Sequence, residues 1–245
     1  MENALLISLS RQIGLQRQMD VVANNIANVN TTGFKAEKLL FEEFLMPVAR
    51  DRDFALPDQE LSFTQDWGTL NDFSPGAIVQ TGNPLDVALE GEGYLVVQSP
   101  AGERWTRAGA LQVNAEGVLV DLNGYPVLGD RGEIRFDEGE TDVMIDATGG
   151  ISSSAGVKGR LRVVEFENPQ ELTREGENLF AGGAPIAATQ TRVAQGAIER
   201  SNVSGVAEMT QMIRVQRAYQ SLASLMDRQD EIRRSAIRRL GNLNA

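Results

Sequence analysis

The sequence predicts an α+β protein, with long N- and C-terminal helices pairing as a coiled-coil-like assembly domain around a central antiparallel β domain. Three features point there. Both ends of the 245-residue chain are free of Pro over long stretches and carry apolar residues at heptad spacing. The middle is instead rich in Gly and Val, with short alternating runs divided by turn residues. Finally, the two helical ends flank the β region, so the termini can meet while the β part projects.

From Asn3 to about Asn28 there is no Pro and one Gly, Gly14. Leu15, Met19, Val22, Ile26 and Val29 recur at steps of four, three, four and three, a heptad seam. Leu6, Leu9 and Ile13 extend an apolar stripe towards the start, and Asn3 is placed to cap the helix. In residues 34–75, an extended connecting segment, Leu39, Leu40, Phe41, Phe44 and Leu45 are compatible with a short helix, and Pro47 to Asp72 reads as a polar connection.

The β domain is expected over residues 76–200. Tyr94–Gln98 and Glu103–Arg107 form one hairpin around Ser99-Pro100-Ala101-Gly102. Leu111–Val113 and Val118–Asp121 form another. Gly159–Phe166 reads as a strand closed by Asn168-Pro169, and Gln190–Ile198 as one more. Residues 201–245 return to helix, from about Ser204 to Leu240, with Ser201-Asn202 as capping choices. Met212, Val215, Tyr219, Leu222 and Met226 form its seam, and Arg233, Arg234, Arg238 and Arg239 crowd the last turns, where cations complement the helix dipole. Residues 1–33 and 201–245 together make the paired-helix assembly domain.

Composition narrows the chemistry. There is no His and no Cys, so thiol nucleophiles, Ser-His-Asp relays and thiolate or imidazole zinc sites are excluded. Lys occurs three times, at 35, 38 and 158. A net charge of −11 opposes binding to nucleic acid. No apolar run approaches the roughly 20 residues of a membrane span, and Met1–Ile7 lacks the basic start and small-residue cleavage site of a secretory signal. Gly91-Glu92-Gly93 and Gly129-Asp130-Arg131-Gly132 lack the residues of a phosphate loop and read as tight turns. Glu90 and Glu92 could be imagined as a hydrolase pair, yet nothing places them in a cleft. Asp137 to Asp146 is too sparse for a calcium loop. No cofactor or metal is expected. Charge is also uneven: acids dominate the connecting and β regions while the tail ends basic, a polarity suited to guiding subunit stacking.

A lone pair of helices with seams this narrow buries little, because at about 25 cal/mol per Å² a handful of contacts barely offsets the ordering of the chain. The helices are therefore expected to be fully ordered only against other subunits.

Particular strings carry more information. Asp20-Val21-Val22-Ala23-Asn24-Asn25-Ile26-Ala27-Asn28-Val29-Asn30-Thr31-Thr32-Gly33-Phe34-Lys35 closely resembles the N-terminal signature of the bacterial flagellar rod and hook proteins. Gln80–Tyr94, Thr106-Arg107-Ala108-Gly109 and Gly124–Gly129 resemble their β domain. Ile198–Val203, Glu208-Met209 and Gln216-Arg217-Ala218-Tyr219-Gln220 are similar to their closing helix. The resemblance implies a non-enzymatic structural subunit of the flagellar basal-body rod, exported by the flagellum's own type III apparatus. It would polymerise through its terminal helices with copies of itself and with rod proteins of the FlgG, FlgB and FlgC types, as part of the axle that crosses the periplasm and transmits torque to the hook. The start and the long tail favour the proximal rod. Alternatives are a distal-rod, FlgG-like subunit or, from another class, a carboxylate-dependent cell-wall hydrolase.

The residues expected at subunit interfaces are Leu15, Met19, Val22, Asn24, Asn25, Ile26, Asn28, Thr31, Gly33 and Phe34 on the first helix and its exit, and Met212, Val215, Tyr219, Leu222 and Met226 on the last. The asparagine amides would bridge neighbouring helices and fix register, as polar residues do in coiled-coil seams. Gly33 permits the left-handed turn that ends the helix.

Overall fold

A computed structural model of the chain describes residues 2–45 and 62–242. The chain divides into two compact units. One spans Met1–Ile26, Glu37–Leu70 and Ser204–Ala245; the other spans Ala27–Ala36 and Asn71–Val203. The α+β class is as the sequence predicts. The division differs from the zones of composition, because the residues just after the first helix belong to the β-rich unit.

The first unit holds α1 (Glu2–Ala27), α2 (Gly205–Asn242) and a two-stranded antiparallel sheet of β1 (Glu37–Leu45) and β2 (Ser62–Asn71). The short helix expected around Leu39–Leu45 is a strand. Its sequence fits either periodicity, and pairing with the Thr- and aromatic-containing segment 62–71 decides for β, a long-range choice invisible to local propensity. The rest of the expected polar connection, residues 46–61, lies outside the described residues. α1 begins one residue before Asn3, and α2 runs on through Gly241. Ser201 and Asn202 do not cap α2, whose first turn starts with the Glu208 amide donating to the Ser204 carbonyl at 2.9 Å.

Gln12 of α1 donates from Nε2 to the Tyr219 hydroxyl of α2 at 2.9 Å. Val22 and Val215 are buried, and the other seam residues Leu15, Met19, Ile26, Met212, Tyr219, Leu222 and Met226 are half-buried. A second set of apolar residues is exposed: Leu6, Leu9 and Ile13 on α1, and Val206, Met209, Ile213, Leu225 and Ile232 on α2. At 3.6 residues per turn, Leu6, Leu9 and Ile13 lie roughly 140° around α1 from its seam. Each helix is therefore apolar on more than one side.

The second unit is built from short strands. β3 (Ile78–Gln80), β4 (Val87–Glu90), β5 (Tyr94–Ser99), β6 (Gly102–Thr106), β7 (Leu111–Val113) and β8 (Leu119–Asp121) open it. β9 (Leu128–Gly129), β10 (Gly132–Glu133), β11 (Met144–Ile145), β12 (Gly150–Ser153), β13 (Gly156–Arg160) and β14 (Val163–Glu165) follow. A 3₁₀ turn (Pro169–Glu171), β15 (Thr173–Arg174), β16 (Phe180–Ala181), β17 (Ile186–Ala187), β18 (Arg192–Gln195) and β19 (Ala197–Glu199) complete it. The largest sheet has the order β15-β16-β6-β5-β14-β17. Both expected hairpins are present, as β5–β6 and β7–β8.

Two expected strands are each divided. Gly159–Phe166 breaks at Leu161, whose amide turns to the Gly149 carbonyl while Arg162 donates to Leu128, so that β13 and β14 enter different sheets. Gln190–Ile198 breaks at Gly196, where φ is +73°; β18 pairs with β4 before it and β19 with β3 after it. β5 sits between two apolar clusters. Leu95 and Val97 face one containing Val87, Leu119, Val127 and Leu161, and Tyr94 and Val96 face another containing Trp105, Phe166 and Phe180. Strand alternation turns four consecutive apolar residues into the shared wall of two cores.

Glu140 tests the outer edge of this unit. Hydrogen bonds from Lys158 first, and then Ser153, hold its carboxyl down to about 2, below its ordinary 4.5. A carboxylate with a depressed folded pKa stabilises fully above its unfolded value and loses that contribution as pH falls through the folded one. Melting temperature measured against pH should therefore fall between about 4.5 and about 2 in the parent chain, and more shallowly in Glu140→Gln, which starts lower at neutral pH. Parallel pH profiles would refute the linkage.

Candidate functional site

The end of α1 is followed by a turn in which Thr31 donates from its amide and its hydroxyl to Asn28, at 3.1 Å in each case. Gly33 then takes φ +66°, and a Cβ there would lie 2.3 Å from the Arg107 carbonyl carbon, so glycine is required twice over. The Gly33 amide donates to the Glu199 carbonyl at 2.8 Å. This delivers Phe34, Lys35 and Ala36 into the β-rich unit, where all three are buried and Phe34, Ala36, Val29 and Val203 form a small apolar cluster.

At the centre of the site is the Glu199 carboxylate. Its Oε1 accepts from Lys35 Nζ at 2.6 Å and from the Gly76 amide at 2.8 Å; its Oε2 accepts from Arg107 Nη1 at 3.1 Å. Lys35 is 0% exposed, Glu199 2% and Arg107 4%. Lys35 also donates to the Ser74 carbonyl, and Arg107 to the carbonyls of Leu89 and Gly91, while its guanidinium lies 5.0 Å from the centre of the Tyr94 ring. Burial is the largest influence on the Lys35 amine and pulls its pKa below 10.5, with Glu199 opposing it. Two cations share one carboxylate and a set of carbonyls in a place water does not reach.

Asn202 binds the same segments from the other side. Its Oδ1 accepts from the Ala36 amide at 2.7 Å, and its Nδ2 donates to the Asp72 carbonyl at 2.8 Å and to the Ser74 carbonyl and hydroxyl oxygens at 3.1 Å. The Asp72 amide donates to Ala36, Asn178 donates to the Thr32 carbonyl, and the Arg174 guanidinium stacks 4.2 Å from the Phe34 ring centre. Four stretches of chain, around residues 31–36, 71–77, 107 and 199–203, are thus held in one clasp.

The clasp accounts for several expected interface residues. Gly33 and Phe34 are used inside the chain, and Asn28 and Thr31 close the turn. Asn25 is buried and makes a two-bond amide pair with Glu37, donating to its carbonyl and accepting from its amide, both at 2.9 Å. Asn24 is exposed and donates to the Glu37 carboxylate at 3.3 Å. Lys35, Arg107, Glu199 and Asn202 were not singled out from sequence. The one signal present was weak: one of only three lysines ends the string Asp20–Lys35 that resembles the family signature. Glu90 and Glu92 are both exposed. The Asp146 carboxylate is occupied by its own loop, accepting from Thr148 and Gly150.

Such a site ties together segments distant in the sequence, the work of a structural framework. Comparison with known proteins specifies which. Residues 5–35 match the family model described as flagella basal body rod protein, residues 88–153 that of the flagellar hook protein FlgE/F/G D1 domain, and residues 194–239 that of the flagellar basal body rod FlgEFG protein C-terminal region. The chain is 40% identical to the flagellar basal-body rod protein FlgF of Caulobacter vibrioides over the full length of both. It is 31% identical to FlgF of Mesorhizobium japonicum, covering 99% of each, and 32% identical to the rod protein FlgG of Agrobacterium fabrum, covering 94% of this chain and 96% of that one. The chain belongs to the flagellar basal-body rod protein family and is a structural rod subunit, not an enzyme. The hydrolase alternative ends here.

Glu199→Gln keeps the shape of the clasp but leaves Lys35 and Arg107 buried without a counter-charge. Denaturant unfolding should show a loss of about 3–5 kcal/mol. Lys35→Met should cost less, because Arg107 still satisfies Glu199. Equal losses, or the reverse order, would show that charge balance is not what holds the site.

Proposed function

We propose that the chain polymerises through α1 and α2 as a proximal-rod subunit, forming part of the axle that crosses the periplasm and carries torque to the hook. The observation that carries this is the second apolar stripe on each helix. Leu6, Leu9 and Ile13, with Val206, Met209 and Ile213, are exposed in a single chain although each set is spaced for helix packing. A two-helix pair has no use for them; a bundle of helices from several subunits does. A head-to-tail interface whose rotation does not close grows an open helical assembly.

Pairing of α1 with α2 belongs to the same reading. Gln12 lies fifteen residues before the end of α1, and its partner Tyr219 fourteen after the start of α2. Val29 and Val203, just outside those ends, share one cluster. The helices then run antiparallel, with Met19 level with Met212 and Leu15 beside Val215. The seam residues Leu15, Met19, Val22, Ile26, Met212, Val215, Tyr219, Leu222 and Met226 would lie within this coiled coil, and Asn24 at the contact with the next subunit.

Partners would be other copies and neighbouring rod proteins of the FlgG, FlgB and FlgC types, reached through the flagellar type III export apparatus. Among the described residues no helix is long and apolar enough to cross a membrane. The proximal, FlgF-like assignment is favoured over the distal one by the 40% identity to a FlgF protein over both full lengths.

Met209→Asp with Ile213→Asp should abolish motility and leave basal bodies without a completed rod, while the β-rich unit melts as in the parent chain. Normal swimming by that strain would sink the proposal. In dilute solution, circular dichroism should report less helix than α1 and α2 contain, rising as subunits associate.

A further inference from the structure

A cavity of about 620 Å³ opens in the β-rich unit where the paired strands β14 and β17 part. Beyond Val163 one branch of chain runs back through Leu161 and Arg160 to β13; beyond Ala187 the other runs on through Gln190 to Arg192 and β18. The space is within the range of ordinary binding pockets. Its lining holds two cations, Arg160 and Arg192, against one carboxylate, Asp130. Both arginines are exposed, and neither forms an ion pair among the described residues. Elsewhere in the unit Arg104, Arg135, Lys158 and Arg162 are each paired with a carboxylate. Two carboxylates near the cavity are already engaged. Glu165 accepts from the Thr191 hydroxyl at 2.7 Å and Asp146 from the Thr148 hydroxyl at 2.6 Å, bonds that hold both carboxyls below their ordinary range, with Arg160 the smallest influence on Asp146.

A counterpart of opposite sign lies at the other end of the β12–β13 hairpin. Residues 137–142 contain four acidic side chains and no basic one. They are held in a fixed shape. The Asp137 amide donates to the Glu140 carboxylate at 2.9 Å, Gly139 takes φ +81°, Ser153 and Lys158 donate to Glu140, and the Ser154 amide donates to the Thr141 carbonyl at 2.9 Å. Glu138, at the tip of the turn, is exposed and has no ion pair among the described residues, and the Asp137 side chain is 91% exposed. Along the hairpin Ser153 pairs with Gly156 beside the turn and Gly150 with Arg160 beside the cavity, three residues or about 10 Å apart. Turn and cavity are both open to solvent, so neither fills the other within one chain.

We propose that the acidic turn Asp137–Glu140 of one subunit seats in the arginine-lined cavity of a second copy, with Glu138 between Arg160 and Arg192. This rests on the rod-subunit reading and names a contact made by the β-rich unit within the assembly. Charge selects the occupant: copies of a chain at −11 repel one another, and here opposite signs meet. Area selects it too. One turn in one cavity buries far less than the roughly 1,000 Å² of a stable complex. A freely diffusing partner would not stay, whereas a copy already held through its helices is present at high effective concentration. With the turn at one end of the hairpin and the cavity at the other, the contact is head-to-tail and each added copy presents the same unfilled cavity.

The test is a photo-crosslinking amino acid at Gln190, in the cavity lining, in otherwise wild-type chain in cells building flagella. Adducts are expected to join two copies, with mass spectrometry placing the far end within residues 137–142. Arg160→Glu with Arg192→Glu should lower the yield by about tenfold or more. A co-expressed copy with Asp137→Lys and Glu138→Lys should restore it. Adducts confined to the same chain, to a different protein, or to another part of a second copy would overturn the proposal. If the reversed chain does not reach the rod, the mapped adduct of the unreversed chain decides alone. Rods that contain the chain but give adducts elsewhere, or none, would defeat this contact and leave the rod reading standing; absence of the chain from rods would defeat that reading itself.

Discussion

A carboxylate buried between two cations organises this molecule. Glu199 is reached by Lys35 from the exit of the first helix, by Arg107 from the loop after β6, and by the Gly76 amide from the start of the β unit. Removing three charged groups from water is expensive, and the attraction among them repays it only where each polar atom finds a partner. The carbonyls of Ser74, Leu89 and Gly91 and the Tyr94 ring supply most of those partners, and Arg107 Nε is buried with no hydrogen-bond partner among the described residues. The arrangement is costly to bury, and losing one partner would leave the remaining charge unpaired away from water. Asn202 repeats the pattern with neutral atoms.

What the clasp organises is connectivity. The chain passes between its two units at residues 26–27, 36–37, 70–71 and 203–204. Ala36, Asp72 and Asn202 hydrogen-bond to one another within the β-rich unit, so its chain exits leave from a single place. The β5 wall between two cores backs the clasp, since Tyr94, whose ring faces Arg107, begins that strand.

Much of this was legible in the sequence, and the limits have physical causes. The helices follow from the Leu15–Val29 and Met212–Met226 periodicities, and the β5–β6 and β7–β8 hairpins from turn residues between short apolar runs, because those signals are local. β1 was unreadable because its partner begins seventeen residues after it ends. The break at Gly196 depends on β18 and β19 joining different partners, β4 and β3, more than a hundred residues earlier. The site was legible only as a set of separate strings. Gly33, Phe34 and the asparagines drew attention as members of a helix end, whereas Gly33 meets Arg107 and Glu199, Phe34 packs with Ala36 and Val203, and Asn25 pairs with Glu37. A lysine looks like a surface residue until its carboxylate is known, and that carboxylate is 164 positions away.

That separation has a consequence for how subunits are supplied. Lys35 belongs to the first seventh of the chain and Glu199 to the last fifth. A polypeptide arriving from its N-terminus has both cations in hand long before their counter-charge, and until then their burial is prohibitive. The clasp can therefore close only on a chain that includes Glu199. Products that stop short of Glu199, which still carry the whole N-terminal string, would be left with two unneutralised cations. The clasp thus makes residues near the start of the chain depend on one 164 positions later.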